Sequence, residues 1–182
     1  MNIVSTGFKD LLVLEPKVHG DDRGYFMESY NRKTLLEIGL DFHFVQDNQS
    51  SSKRGVLRGL HFQNPPYAQT KLVRTLHGSI LDVVVDLRRR EPTFGKYFSV
   101  ELSAENKKQL FVPKGFAHGF VVLSDYAEVF YKCDEYYNQQ ADDGIFFDDP
   151  SIGIDWRLKT DELVLSEKDR KHPKLGEGNF NF

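Results

Sequence analysis

Three polar clusters along the chain bring together groups that can move protons and hold anions. The first is Gly55-Val56-Leu57-Arg58-Gly59-Leu60-His61-Phe62-Gln63, with Lys71 following; the second, Pro113 to Phe120, carries His118; the third runs from Tyr131 to Tyr137. An imidazole has its ordinary pKa nearest neutrality, so His61 is a candidate for proton transfer, while His118 is assigned to ligand binding. A tyrosine hydroxyl such as that of Tyr131 can donate a proton, and the ammonium of Lys71 is a compact positive charge suited to a developing oxyanion. Arg23, Arg58, Lys71 and Lys168 can pair with phosphate or sugar oxygens. Phe26 and Tyr137 present flat faces on which a base could stack. Taken singly, each residue also has a plainer reading. His61 could be a satisfied core histidine, Tyr131 a buried tyrosine with its hydroxyl bonded, and Lys71 a solvated strand-end lysine. Asp169 could be a helix-start carboxylate, and Tyr137 beside Tyr136 surface aromatic packing.

Strands must position these groups. Leu81, Val83, Val85 and Leu87 alternate with Ile80, Asp82, Val84 and Asp86, the period of two expected of a strand with unlike faces. Lys71 to Leu76 alternates too, and His77-Gly78-Ser79 between the two segments predicts a hairpin. Further strands are predicted over Tyr97–Leu102, Gln109–Val112, Gly119–Leu123 and Ala127–Cys133. Six short strands with no helical interval indicate an antiparallel sandwich or barrel. Helical signals are confined to the periphery: Asn31 as N-cap of a helix over Arg32–Ile38 stopped by Gly39, and Ser166 capping a turn through Asp169. The tail after Lys171, rich in Gly, Asn, Lys and Pro, is expected to be loosely held.

A chain of 182 residues can bury one substantial core, whereas two domains would each be undersized, so a single domain is expected. Hydrophobic content of 40% and charged content of 28% argue against disorder. The net charge of -3 gives no long-range attraction to a polyanion, which argues against nucleic-acid binding and against an acidic membrane surface. No basic segment leads into an apolar run at Met1–Asp10, and no run approaches the roughly 18 apolar residues of a membrane span. A cytoplasmic protein is the expectation. Cys133 is the single cysteine, which excludes an intramolecular disulfide and reads as a small core residue.

The spacings Gly-x5-His in the first cluster and Pro-x-Gly-x2-His in the second resemble the two signature motifs of the cupin superfamily. Metal-binding cupins continue the first motif as His-x-His and later a Glu, so that three histidines and a carboxylate surround one ion. Here Gln63 and Lys71 stand in those places, and an ammonium repels a cation. A pocket without metal or cofactor is therefore expected, which weighs against a metal-dependent oxygenase or isomerase.

More of the chain is similar to a narrower family. Asp21 to Glu28, Gln46 to Ser50, Leu57 to Gln63, Lys71 to Arg74, Gly115 to Phe120 and Leu165 to Asp169 resemble, in order, the dTDP-4-dehydrorhamnose 3,5-epimerases, from about Glu15 to Asp169. The resemblance implies an all-β, cupin-type antiparallel barrel or jelly roll with short peripheral helices. It implies a homodimer that inverts C3 and C5 of a dTDP-4-keto-6-deoxyhexose in dTDP-L-rhamnose synthesis. It also implies roles: His61 as base, Asp169 as its carboxylate partner, Tyr131 as acid, and Lys71 at the enolate oxygen. The substrate-binding set it implies is Arg23, Phe26, Glu28, Gln46, Asn48, Arg58, His118, Tyr137, Asp142 and Lys168. At Asn138 to Asp142 the sequence departs from relatives that carry a Pro and then a Glu, which leaves Asp142 with a shorter arm. Competing readings are an epimerase of C3 or C5 alone, a ketoisomerase of a related nucleotide sugar, and a non-catalytic sugar-binding cupin.

Overall fold

The computed structural model describes residues 1–182. Its strands form two main antiparallel sheets. The six-stranded sheet has the spatial order β1 (Asn2–Ser5), β2 (Leu12–Glu15), β10 (Gln109–Val112), β7 (Lys71–His77), β12 (Tyr126–Cys133) and β5 (Gln46–Lys53). The five-stranded sheet runs β13 (Asp142–Gly144), β6 (Leu57–Gln63), β11 (Phe116–Val122), β8 (Ser79–Asp86) and β9 (Tyr97–Ser103). A separate hairpin pairs β3 (His19–Asp21) with β4 (Gly24–Phe26). This is the all-β antiparallel architecture that the alternation predicted, with helix at the edge only. Asn31 caps α1 (Arg32–Glu37) by accepting from the amides of Lys33 and Thr34, and Gly39 ends it at a φ of 85°.

The predicted hairpin at Gly78 does not form. β7 pairs with β10 and β12 in one sheet, while β8 pairs with β9 and β11 in the other. Gly78 is instead the corner at which the chain changes sheets. Its φ is +71°, and a Cβ there would lie 2.0 Å from the carbonyl oxygen of Tyr126, so the corner excludes a side chain. Alternation of polar and apolar residues in β8 also has another cause than a solvated face. Leu81, Val83 and Val85 pack under Phe147, Trp156 and Phe180 of the C-terminal segment, whereas Ile80 and Val84 face the other sheet with Val73, Leu110 and Val129. Both faces are buried, and Asp82 and Asp86 are 0% exposed. Asp86 is satisfied by Arg88 and Thr93, Asp82 by His118.

The tail after Lys171 is likewise packed rather than loose. Phe180 is 2% exposed within the outer core, and the Leu175 amide donates to Asp149 at 2.7 Å. Few residues are needed for this, because one aromatic anchor buries enough apolar surface to hold a short polar segment.

Candidate active site

Two glycines let the histidine-bearing strands meet. A Cβ on Gly59, which has a φ of +134°, would lie 2.5 Å from the Cα of Gly119, and one on Gly119 would lie 2.7 Å from the carbonyl of Arg58. With both Cβ atoms absent, β6 and β11 close together at a register irregularity, and His61 stands directly opposite His118. Both imidazoles then point between the sheets, into a cavity of about 440 Å³. Arg58 and His61 line it from β6, Lys71 from β7, His118 from β11, Tyr131 from β12, and Lys168 and Asp169 from the C-terminal loop. These are five different stretches of chain, and a cavity of this size accommodates a small ring with part of a longer ligand.

His61 Nε2 lies 2.6 Å from Asp169 Oδ1. Asp169 is 3% exposed and sits at the start of a 3₁₀ turn, where its amide donates to Ser166 Oγ at 3.1 Å. Burial alone would raise the carboxyl, but His172, His61 and Ser166 around it prevail and hold it well below the usual carboxylate range. Asp169 is therefore ionised, so Nε2 carries the imidazole proton and donates it. No protein group bonds Nδ1, the other ring nitrogen, and it carries the lone pair. His118 Nε2 lies 2.9 Å from Asp82 Oδ1 in a second, more buried pair.

Lys71 has no carboxylate within ion-pair distance, and its Nζ lies 5.9 Å from the centre of the Tyr131 ring. Burial lowers its pKa, and the more distant Cys133, Asp142 and Asp82 offset this only in part. Burial raises the pKa of Tyr131, so its phenol stays protonated at neutral pH. Cys133 is 0% exposed, and burial pushes its thiol up to about 11, which disqualifies it as a nucleophile.

The remaining predicted residues divide into two groups. At the rim, Lys168 Nζ meets Asp142 Oδ2 at 2.5 Å, and the Tyr137 hydroxyl donates to the same oxygen at 3.1 Å. Asp142 thus holds two neighbours instead of presenting a free carboxylate. Gln46 accepts from the Tyr137 amide at 2.9 Å and donates to Asn48 at 3.1 Å, which ties β5 to this rim. Arg23, Phe26 and Glu28 lie elsewhere. Arg23 bonds Asp21 beside the β3–β4 hairpin, Phe26 is 68% exposed, and Glu28 accepts from Asn31.

Residues the sequence reading missed are Asp82 and His172. Asp82 was visible only as the polar phase of an alternating strand; the signal was a carboxylate on a strand too apolar to be solvated. Nothing in the sequence singles out His172, whose place beside Asp169 depends on a loop.

Cupin metal chemistry finds no matching donor set. His61 and His118 each direct Nε2 to a carboxylate, and the Lys71 cation lines the same cavity. Gln63 is 4% exposed and turned into the protein. Its Nε2 donates to the carbonyls of Tyr67 and Tyr136 at 2.7 and 3.1 Å, and its Oε1 accepts from the Asn138 amide at 2.7 Å.

Comparison with known proteins gives a consistent likeness. Residues 5–177 match the family model described as dTDP-4-dehydrorhamnose 3,5-epimerase. The dTDP-4-dehydrorhamnose 3,5-epimerase of Shigella flexneri is 51% identical over 181 residues, 99% of each chain. The crystal structure of the Elizabethkingia anophelis enzyme of that name superposes with a TM-score of 0.95 at 51% identity, over 99% of each chain. The dTDP-6-deoxy-D-glucose-3,5-epimerase of Legionella pneumophila, in complex with dTDP-4-keto-L-rhamnose, does so with a TM-score of 0.93 at 46% identity, over 98% of this chain and 94% of that one.

Proposed function

The chain belongs to the dTDP-4-dehydrorhamnose 3,5-epimerase family, and from that premise we propose how its residues divide the work of inverting C3 and C5 of dTDP-4-dehydro-6-deoxy-D-glucose. The product is dTDP-4-dehydro-L-rhamnose. Each inverted carbon is adjacent to the C4 ketone, so removing its proton gives an enolate in which the negative charge rests largely on the C4 oxygen. His61 Nδ1 takes the proton. Asp169 holds the tautomer that leaves this nitrogen free and stabilises the imidazolium that results, as a carboxylate does in other imidazole dyads. The Lys71 ammonium, unpaired in the cavity, stabilises the enolate oxygen. Tyr131 returns a proton to the opposite face of the ring. Each inversion leaves His61 protonated and Tyr131 ionised, and exchange with solvent restores both.

The observation that carries this reading is the 2.6 Å His61–Asp169 contact in the same cavity as a protonated Tyr131 and an unpaired Lys71. A sugar-binding cupin without activity would need none of the three. Arg58 and Lys168 suit the diphosphate, Tyr137 the base, and Gln46, Asn48 and His118 the sugar and nucleotide edges. Neither a metal nor a cofactor takes part. A nucleotide-sugar substrate fits a cytoplasmic enzyme, and no helix is long and apolar enough to cross a membrane.

The protein acts as a homodimer, in which Arg23, Phe26 and Glu28 of one subunit reach the cavity of the other. Support comes from the exposed β3–β4 hairpin, where Tyr25 and Phe26 are 59% and 68% exposed. Incubating dTDP-4-dehydro-6-deoxy-D-glucose with the protein in deuterated water tests the reaction. Deuterium should appear at both C3 and C5 of the L-rhamno product by NMR. Label at one carbon only would make the chain a mono-epimerase, and label at neither would make it a binding protein.

A further inference from the structure

We propose that His61, Asp169 and His172 form a latent site for a zinc-like divalent cation, and that occupancy of this site switches the enzyme off. His61, Asp169 and His172 each offer one ligand atom, and the three atoms lie within 4.8 Å of one another. The His172 side chain is 7% exposed, and its Nε2 is a buried nitrogen with no hydrogen-bond partner, 3.7 Å from Asp169 Oδ1. A buried polar atom without a partner carries a desolvation cost, which a bound cation would remove. Room for the ring is provided specifically: a Cβ on Gly144 would lie 2.6 Å from His172 Cε1 and Nε2.

Two imidazoles and one carboxylate are a donor set suited to zinc, cobalt and nickel, and an open fourth position is the arrangement of accessible sites. His61 is 32% exposed toward the cavity, so an ion has an entry path and a place for water. Bonds of about 2.0–2.2 Å to each donor require the 2.6 Å pair to open and the 3.7 Å pair to close, both by less than the length of one bond.

The consequence for catalysis follows from the tautomer, and it rests on His61 acting as base. Ligation through Nε2 displaces the proton from that nitrogen and leaves the imidazole with its one proton on Nδ1. An N–H has no lone pair, so a metallated His61 cannot accept a proton from the sugar ring. Zinc would therefore inhibit by changing the tautomer of the base, without needing to fill the cavity.

The test uses full-length protein stripped with a chelator, and zinc or cobalt ions alone as the probe. Calorimetric titration should give one site per chain. Cobalt should give the visible spectrum of a four-coordinate complex with two nitrogen donors. His172→Phe and His172→Gln should each weaken binding at least roughly 100-fold, beyond the 10- to 100-fold typical of losing an outer-sphere partner. The glutamine variant guards against a packing defect, with circular dichroism reporting the fold. In the wild type, zinc should abolish epimerisation and a chelator should restore it. Absence of a site, or equal affinity in both His172 variants, overturns the proposal. Tight binding at His172 without inhibition would instead keep the site and contradict the role of His61 as base.

Discussion

At the scale of single residues, the same physical property that serves the chemistry often costs stability, and Lys71 is the clearest case. Burial lowers its pKa, so over the interval between the folded and unfolded values the folded chain binds fewer protons. Stability therefore rises with pH across that interval, and below it burial of the ammonium is a cost to the fold. Lys71→Met should raise Tm, by about 2–4 °C for each kcal/mol relieved in a chain of this size. Turnover should fall by roughly 10²- to 10³-fold, as for loss of one oxyanion donor. A calorimetric scan and steady-state kinetics check both, and a lower Tm with unchanged turnover would assign Lys71 to structure. Asp169 contributes stability instead, with the same direction of pH dependence. Its folded pKa is depressed, so its contribution is present above the ordinary carboxylate value and is lost as pH falls through the folded one. His61, Lys71, Tyr131 and His118 stand out in the sequence by residue type and motif, and Asp169 only through the family resemblance. Asp82 and His172 do not, because each acts through a neighbour that only the fold supplies.

At the scale of elements, alternation located strands well and their pairing poorly. β8 and β12 are apolar enough to read directly. β5, which reads Gln-Asp-Asn-Gln-Ser-Ser-Ser-Lys, carries no hydrophobic period; it is an edge strand that contributes Ser50 to the cavity. Gly78 met every requirement of a hairpin turn, but the partner of a strand is chosen by the whole sheet and not by the loop that leads to it. Gln63 shows how an element can be reassigned. At a place where metal-binding cupins have a ligand, it makes three hydrogen bonds, two of which fix the segment Tyr136–Asn138 and one the carbonyl of Tyr67. Gln63→Leu strands those backbone groups and should cost about 1–3 kcal/mol. Because Tyr137 lies in the released segment, KM for the sugar nucleotide should rise more than kcat falls. An unchanged KM would show that the segment holds itself.

At the scale of the whole molecule, the cavity is assembled by one subunit, while Arg23, Phe26 and Glu28 lie on or beside an exposed hairpin away from it. On the outer face of the six-stranded sheet, Arg74 lies beside Phe130 with Nε and Nη1 buried and without acceptors. Unsatisfied buried donors and exposed aromatics on one protein are features that a second copy can complete. Sedimentation at micromolar concentration should therefore give a dimer, and Phe26→Ala should raise KM without altering the His61 chemistry. A fully active monomer would contradict this arrangement.

In the proposed division of labour His61 removes the ring protons while Tyr131 returns them from the other face, and solvent exchange separates those steps. In deuterated water, His61→Asn should lose both exchange and inversion, because His118, the other imidazole of the cavity, is buried against Asp82 and assigned to binding. Tyr131→Phe should still exchange, with retained configuration, while inversion drops by about 10²- to 10⁴-fold. Exchange persisting in His61→Asn, or inversion near the wild-type rate in a folded Tyr131→Phe, would contradict the account.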